Sequence, residues 1–541
     1  MAKFRLLAVM AFSLWAFAST AQESCYMVFF ADKDDIAQRI DMPGEFLSER
    51  AIMRCVKAGV EITAQDLPVS PDYVNSVRST GAHTLYKTKW LNGVLVRCGA
   101  DLVPALKALP FVTAVEYVGP VPEAMLSGRR SFNLRTKERR VGVETESQLK
   151  MIGADRMHQA GFTGEGITIA ILDSGFPGVS TSSAFSHILS NGTLQEDVSY
   201  NFVRNSPDVY QEDDHGTEVL SVIAANIPDA YTGVAYDATF QLFVTEDARS
   251  EYRIEEYNWL FAAERADSAG VDIIHSSLGY YDFDDPSMNY TREQMDGRTT
   301  VVSRAAKWAS ERGIVVVTSA GNEGSIPSWR IITAPADVDG VVAVGSVNSL
   351  RQKTGSSSIG PTADGRIKPD VAALGQGVKV VRASGQVGSS SGTSFSAPLV
   401  TGLVAGIWQR YPELNAREVV ALLKETASQA SQPDNLLGYG IPDFRAVENY
   451  MAEVPQNGVF EIFPNPLKTD TLTIRPKDPD MANACSIEII SAQGRLLETK
   501  SIRFSWLQRT HHANFSALPA GIYFIRIISG KTHHTFRLVR L

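Results

Sequence analysis

Five short segments of this chain end or begin apolar runs with side chains suited to acid–base or nucleophilic chemistry. Ile169-Ala170-Ile171-Leu172 leads into Asp173-Ser174-Gly175, and Asp214-His215-Gly216-Thr217-Glu218-Val219 puts a histidine at the tip of a predicted helix. Val271 to His275 leads into Ser276-Ser277-Leu278-Gly279, and Val315 to Thr318 into Ser319-Ala320-Gly321-Asn322. Gly392-Thr393-Ser394-Phe395-Ser396-Ala397-Pro398 opens an apolar helix. A serine hydroxyl is a weak nucleophile at neutral pH and needs a base beside it. A histidine base needs a buried carboxylate to hold its tautomer. Ser394, His215 and Asp173 are suited to those three roles. Developing negative charge on an attacked carbonyl needs donors, which the Asn322 amide and the Ser394 N–H offer. Gly392 allows close backbone approach. The start of a helix leaves N–H groups without intrahelical partners and favours negative charge. Pro398 is expected in the first helical turn, where a missing N–H does no harm. Singly, each residue has an ordinary reading as a turn, a cap or a surface group. Together, in these contexts, they point to acyl transfer. Ser394 is not framed as Gly-x-Ser-x-Gly, and His precedes Ser in the chain, so the hydrolases built on that nucleophile elbow do not fit.

These residues need a scaffold with strand ends on one side, and residues 149–450 read as one. Continuous apolar runs at 167–172, 240–245, 271–276, 313–319 and 341–347 predict strands buried on both faces. They alternate with helical patterns at 215–226, 254–269, 301–312, 396–411 and 416–425. The expected fold class is therefore α/β: a parallel sheet flanked by helices, with functional groups beyond the carboxyl ends of its strands. Residues 22–126 mix short strands with helices and predict a separate α+β unit. Residues 127–148 carry Arg129, Arg130, Arg135, Lys137, Arg139 and Arg140 and few large apolar groups, as in an exposed basic linker open to proteolysis. Residues 458–541 change to short strands between turn signals, predicting a β-sandwich.

Composition narrows the partners. The net charge is −9, so nucleic acid is not expected. Lys3 and Arg5, an apolar run from Leu6 to Phe17 and the small residues Ser19-Thr20-Ala21 predict a signal peptide, 1–21, cut after Ala21. Later apolar runs are too short to span a bilayer, so no transmembrane segment is expected. Export permits disulfides. Of the four cysteines, Cys25, Cys55 and Cys98 lie in the first hundred residues, so at most one pair forms there, and Cys485 stands apart. Their spacing is not that of metal ligands.

Ile171-Leu172-Asp173-Ser174-Gly175, His215-Gly216-Thr217-Glu218-Val219, Ser319-Ala320-Gly321-Asn322 and Gly392 to Pro398 resemble the signature blocks of the subtilase family, and Ser357 to Asp370 resembles another. The order Asp, His, Ser is that of subtilisin. The resemblance covers roughly 149–450. It implies a secreted serine endopeptidase acting on proteins or peptides, with Ser394 as nucleophile, His215 as base, Asp173 as its orienter and Asn322 as oxyanion donor. It implies that Ser277, Leu278, Gly279, Ser319, Ala320 and Gly321 flank the substrate and its primary pocket. No cofactor is implied for the chemistry. Structural calcium is common in the family, but no short Asp-rich loop is assignable to it, so the metal sites stay unknown. The family more often has Asn where His275 stands, and His275 is expected to be a buried, hydrogen-bonded histidine. Residues 22–126 resemble the propeptides of such enzymes, which template folding and inhibit the mature protease. Phe463-Pro464-Asn465-Pro466, Leu518 to Tyr523 and the terminal Arg540-Leu541 resemble the sorting domain of type IX secretion substrates of the Bacteroidetes. That likeness implies the type IX machinery as a partner, and a location outside the cell or on its outer surface.

Overall fold

Residues 23–33, 40–126, 145–453, 460–476, 484–504, 510–529 and 532–541 are described by the structure, a computed structural model. The expected signal peptide and residues 127–144 of the basic linker lie outside the described residues.

The N-terminal unit comprises β1 (Ser24–Phe30), α1 (Glu49–Ala58), α2 (Pro71–Ser79), β2 (His83–Thr88), β3 (Gly93–Cys98) and β4 (Val112–Pro120). Its antiparallel sheet has the order β2-β3-β1-β4. Side chains alternate across a strand, and here both faces are covered. Tyr26, Val28, Phe30, Val94 and Val96 pack on Val74 and Val77 of α2, while Cys25, Met27 and Leu95 enter the core of the central domain. Hence β1 reads as an unbroken apolar run.

The central domain contains β5 (Thr168–Asp173), β6 (Tyr200–Asn201), α3 (His215–Ala224), β7 (Thr239–Val244), α4 (Ile254–Ala269), β8 (Ile273–Ser276), α5 (Val301–Glu311), β9 (Val315–Ser319), β10 (Val342–Val347), β11 (Val371–Leu374), α6 (Thr393–Arg410) and α7 (Ala416–Glu425). The sheet runs β11-β10-β9-β8-β5-β7-β6, all neighbours parallel. Ile169 and Ile171 face a core shared with residues of α3 and α6. Ala170 and Leu172 face the opposite core, with α4 and α5. This two-sided burial is what the continuous apolar strands require. The short strands β6 and β11 were not foreseen. Helix α6 begins at Thr393, three residues earlier than the apolar pattern predicted, so Pro398 stands at its sixth position and not in the first turn.

Buried charges join the first two units. Asp267 of α4 pairs with Arg54 and Lys89, each at 2.5 Å. Glu264 accepts the N–H groups of Lys89 (2.8 Å) and Trp90 (3.0 Å) and the Thr88 hydroxyl. Removing one partner of a buried pair costs about 3–5 kcal/mol, because the other charge is left without compensation. Asp267→Ala in the full-length chain is therefore expected to lower the stability of the joined units by about that amount. A denaturation midpoint equal to that of the parent would show that these pairs contribute nothing.

The C-terminal unit holds β12 (Phe460–Phe463), β13 (Thr471–Pro476), β14 (Ala484–Ser491), β15 (Leu496–Arg503), β16 (His511–Asn514), β17 (Gly521–Ser529) and β18 (Thr532–Arg540). Antiparallel sheets β12-β13-β16 and β15-β14-β17-β18 enclose Phe460, Leu472, Ile474, Ile487, Ile489, Ile525 and Ile527, the sandwich the turn spacing predicted. Ile490 and Phe524 of this unit also pack on Val56 of α1. All four cysteines are buried, and none is in a disulfide. Burial pushes the Cys25 thiol up to about 12.

Candidate active site

The residues singled out from sequence converge at the carboxyl end of the parallel sheet. Asp173 is the last residue of β5 and fully buried. Its Oδ1 accepts from the Ser174 N–H (2.8 Å) and from His215 Nδ1 (2.8 Å). A carboxylate can only accept, so Nδ1 carries the proton and Nε2 faces outward as the basic nitrogen. His215 is the first residue of α3. Gly216 makes this approach possible: a β-carbon there would meet the Gly175 carbonyl at 2.4 Å and Asp173 Cβ at 2.9 Å.

Electrostatics around the ring are strongly negative. Burial pulls the His215 pKa down. The Asp173 carboxylate opposes it by charge and hydrogen bond, aided by Asp213 and Glu218, and the net result is a rise to about 9. The side chain keeps 31% exposure, so the ring stays in exchange with solvent. Asp213 was not anticipated. Its Oδ1 accepts from the His215 backbone N–H at 3.0 Å and from the Ser174 hydroxyl at 3.3 Å.

Ser394 is the second residue of α6, and the Phe395 ring beside it lies 5.6 Å from the His215 ring. Gly392, just before the helix, has φ +147°, which favours glycine. The Ser394 hydroxyl donates to the Ser277 carbonyl at 3.3 Å and makes no hydrogen bond to His215. Unliganded sites often hold such groups away from their catalytic partner until substrate arrives.

Pro398 explains a further set of contacts. In a helix, its N–H would bond to the carbonyl four residues back, that of Ser394, but proline has none. The Ser277 hydroxyl supplies the missing donor, at 2.8 Å from the Ser394 oxygen. Because that hydroxyl is spent on Ser394, His275 Nε2 must donate to Ser277 Oγ (2.9 Å), and His275 Nδ1 must accept from Thr401 Oγ1 (2.7 Å). Burial, reinforced by the charge of His215, lowers the His275 pKa to about 3, so the ring is neutral. His275 is thus buried with both nitrogens bonded, and it props the serine through Ser277. Counting four residues from Ser394 to Pro398 could have revealed the need for such a donor.

Asn322 is exposed beyond β9. Its Oδ1 accepts from the Thr393 N–H at 3.0 Å and the Thr393 hydroxyl at 3.2 Å. A β-carbon built on Gly392 would lie 3.5 Å from Asn322 Oδ1, 3.7 Å from Asn322 Nδ2 and 3.8 Å from the Ser394 nitrogen, so the Asn322 amide and the Ser394 N–H border one small space. Ser277-Leu278-Gly279 and Ser319-Ala320-Gly321 continue from the adjacent strands β8 and β9, tied by the Ser319 hydroxyl donating to the Leu278 carbonyl at 3.2 Å. Gly279 is exposed, whereas Ser319 and Ala320 are buried.

Elsewhere, one oxygen each from Glu246, Glu251 and Glu255 gathers within 4.8 Å. Burial, with the charges of Asp173 and Glu256, raises Glu246 to about 7, and burial with the charges of Glu246, Asp282 and Asp284 raises Glu251 to about 8. No helix among the described residues is long and apolar enough to cross a membrane.

Comparison with known proteins finds three family models along the chain. The subtilase family model matches residues 164–440, the Bacteroidota peptidase S8 propeptide domain matches 25–133, and the secretion system C-terminal sorting domain matches 461–540. Subtilisin of Bacillus pumilus is 30% identical over 283 residues, which are 52% of this chain and 90% of that protein. Subtilisin NAT of Bacillus subtilis subsp. natto is also 30% identical, the match taking in 52% of this chain but only 65% of that relative's length. Among solved structures, the epidermin leader peptide processing serine protease of Staphylococcus aureus shares the fold, with a TM-score of 0.54 at 16% identity over 80% of this chain and 100% of that one. With half its length matched by the family model and its fold shared, the chain belongs to the subtilase family, joined to a propeptide domain and a sorting domain.

Proposed function

We propose that this protein is a secreted serine endopeptidase made as a precursor. One observation carries the reading: Asp173 and His215, on separate elements, meet at 2.8 Å beside the helix tip that bears Ser394. In the proposed cycle, an extended substrate lies along Ser277, Leu278 and Gly279 and pairs with them through its main chain. Ser394 turns from the Ser277 carbonyl and attacks the scissile carbon as His215 Nε2 takes its proton. Asp173 steadies the imidazolium, and Asn322 Nδ2 with the Ser394 N–H holds the oxyanion. His215 then protonates the leaving amine. The resulting acyl-enzyme is hydrolysed by water activated the same way, with no cofactor taking part.

Around this centre we assign a signal peptide at 1–21, an inhibitory and folding propeptide at 22–126, a processing linker at 127–148, the peptidase at 149–450 and the sorting domain at 458–541. The last is the part read by type IX machinery, leaving the enzyme outside the cell or on its outer surface.

The test is labelling by a fluorophosphonate together with casein cleavage, in the processed parent and in Ser394→Ala. Labelling and cleavage in the parent alone support the reading, and an unlabelled processed parent would refute it.

The pH profile follows from the electrostatics. His215 must be neutral to accept a proton, and its pKa is lifted to about 9. kcat/KM should therefore rise with pH through a value above the ordinary histidine range. Asp213→Asn removes one of the negative charges that favour imidazolium, so its rising limb should move to lower pH. A limb that stays in place or moves up would show that Asp213 does not act on His215.

A further inference from the structure

Strand β17 of the C-terminal unit carries apolar side chains on both faces. Tyr523, Ile525 and Ile527 enter the sandwich core, so Ile522 and Phe524 point out of it. An outward phenylalanine on such a sheet is ordinarily exposed. Phe524 is instead 2% exposed, and its cross-strand neighbour Ile490 is 3% exposed. What covers them is α1 of the N-terminal unit, through Val56 and Met53. Polar contacts flank this apolar patch at both ends of the helix. Arg537 pairs with Glu49 at the start of α1 (3.4 Å). Gly59 caps its other end, and a β-carbon there would run into the Arg526 guanidinium.

Other residues of α1 hold the peptidase. Besides its pair with Asp267, Arg54 donates to the Val271 carbonyl (2.8 Å), and Arg50 donates to the Gly270 carbonyl (2.9 Å). The Lys57 ammonium lies 5.1 Å from the centre of the Trp408 ring on α6. The C-terminal unit also meets the peptidase directly. His533 pairs with Glu418 of α7 at 3.1 Å, and its other ring nitrogen lies 3.3 Å from the Asn415 amide. Helix α1 is thus held between two bodies that also hold each other. A cavity of about 380 Å³ remains where all three meet, bordered by Val56, Trp408 and Phe524. Such incomplete packing suits a contact that has to come apart.

The covalent connections are unequal. The C-terminal unit continues from the peptidase, whereas the N-terminal unit is joined to it only through the basic linker. Once that linker is cut, the propeptide is kept by its contacts alone. Two surfaces on one covalent body hold a partner far more strongly than either does. We propose that the sorting domain is a second retainer of the propeptide, clamping α1 against the peptidase so that the cut precursor stays latent until the tail lets go. This rests on the propeptide reading above and gives the sorting domain a function besides export.

The experiment uses the chain from Gln22 to Leu541 with Ser394→Ala, so that nothing digests itself, and with a recognition sequence for an added site-specific protease placed in the linker. The protein is held on beads by a tag ahead of Gln22, the linker is cut, and the peptidase with its tail is counted as it washes off. In Phe524→Asp it should leave at least about tenfold faster than in the parent. Phe524→Leu keeps the contact apolar and should release at close to the parent rate. Val56→Asp breaks the same contact from the propeptide side, and it keeps the test decisive if Phe524→Asp fails to fold. The double Asp variant should be no faster than the faster single one, because both remove one shared contact. Equal release from the parent and both Asp variants would overturn the clamp, as would effects of the two Asp changes that simply multiply. Either result leaves the peptidase reading to fluorophosphonate labelling of the active parent. An unlabelled active parent beside faster release from the Asp variants would refute the peptidase and uphold the clamp.

Discussion

Ser394→Ala should lower kcat by a factor on the order of 10⁶, and His215→Ala by about as much. The size is that measured in subtilisin, a relative, and is not deduced from these distances. What the geometry adds is the reason the two losses should coincide. Without Ser394 there is no atom to attack. Without His215 the Ser394 proton has nowhere to go, since the hydroxyl's present acceptor is the Ser277 carbonyl at 3.3 Å, which cannot act as a base. The double variant should therefore be no worse than either single one. Asp173→Asn should cost less, because the imidazole remains and only its tautomer and charge are disturbed. Single-turnover rates on one peptide, at equal concentrations of folded, processed protein, measure all four. A double variant measurably slower than both singles would mean that Ser394 and His215 act independently, contrary to their proposed roles.

The sequence was informative where one physical cause dominates. Strands β5 and β7 to β10 sit inside a doubly covered sheet, so most of their residues are apolar on both faces, and that pattern is visible without a structure. Helices α4 and α7 begin and end where the sequence pattern predicted. The start of α6 was misplaced because its first turn, Thr393-Ser394-Phe395, is chosen for chemistry and not for amphipathic spacing. The propping of Ser394 by Ser277 and His275 was hidden for another reason. It joins residues more than a hundred positions apart, and only the packing of α6 against β8 brings them together.

Asn322→Ala should lower kcat by about 10² to 10³, or roughly 3 kcal/mol of transition-state stabilisation, with KM little changed. That range too comes from subtilisin. The expectation of an effect on kcat alone follows from what Asn322 touches. Its carbonyl end is engaged by Thr393, and its amide nitrogen borders, with the Ser394 N–H, a space that in the proposed cycle becomes negative only as the tetrahedral intermediate forms. An interaction made only in the transition state raises kcat without tightening substrate binding. Asn322→Asp separates the two ends of the side chain. A carboxylate can still accept the Thr393 N–H, so the local fold should survive, but it sets a negative oxygen against the oxyanion where a donor stood. It should therefore be slower than Asn322→Ala, although it is the closer match in shape. If Asn322→Asp were instead as fast as the parent, the side chain would be serving only to hold Thr393, and the oxyanion would have to find its second donor elsewhere.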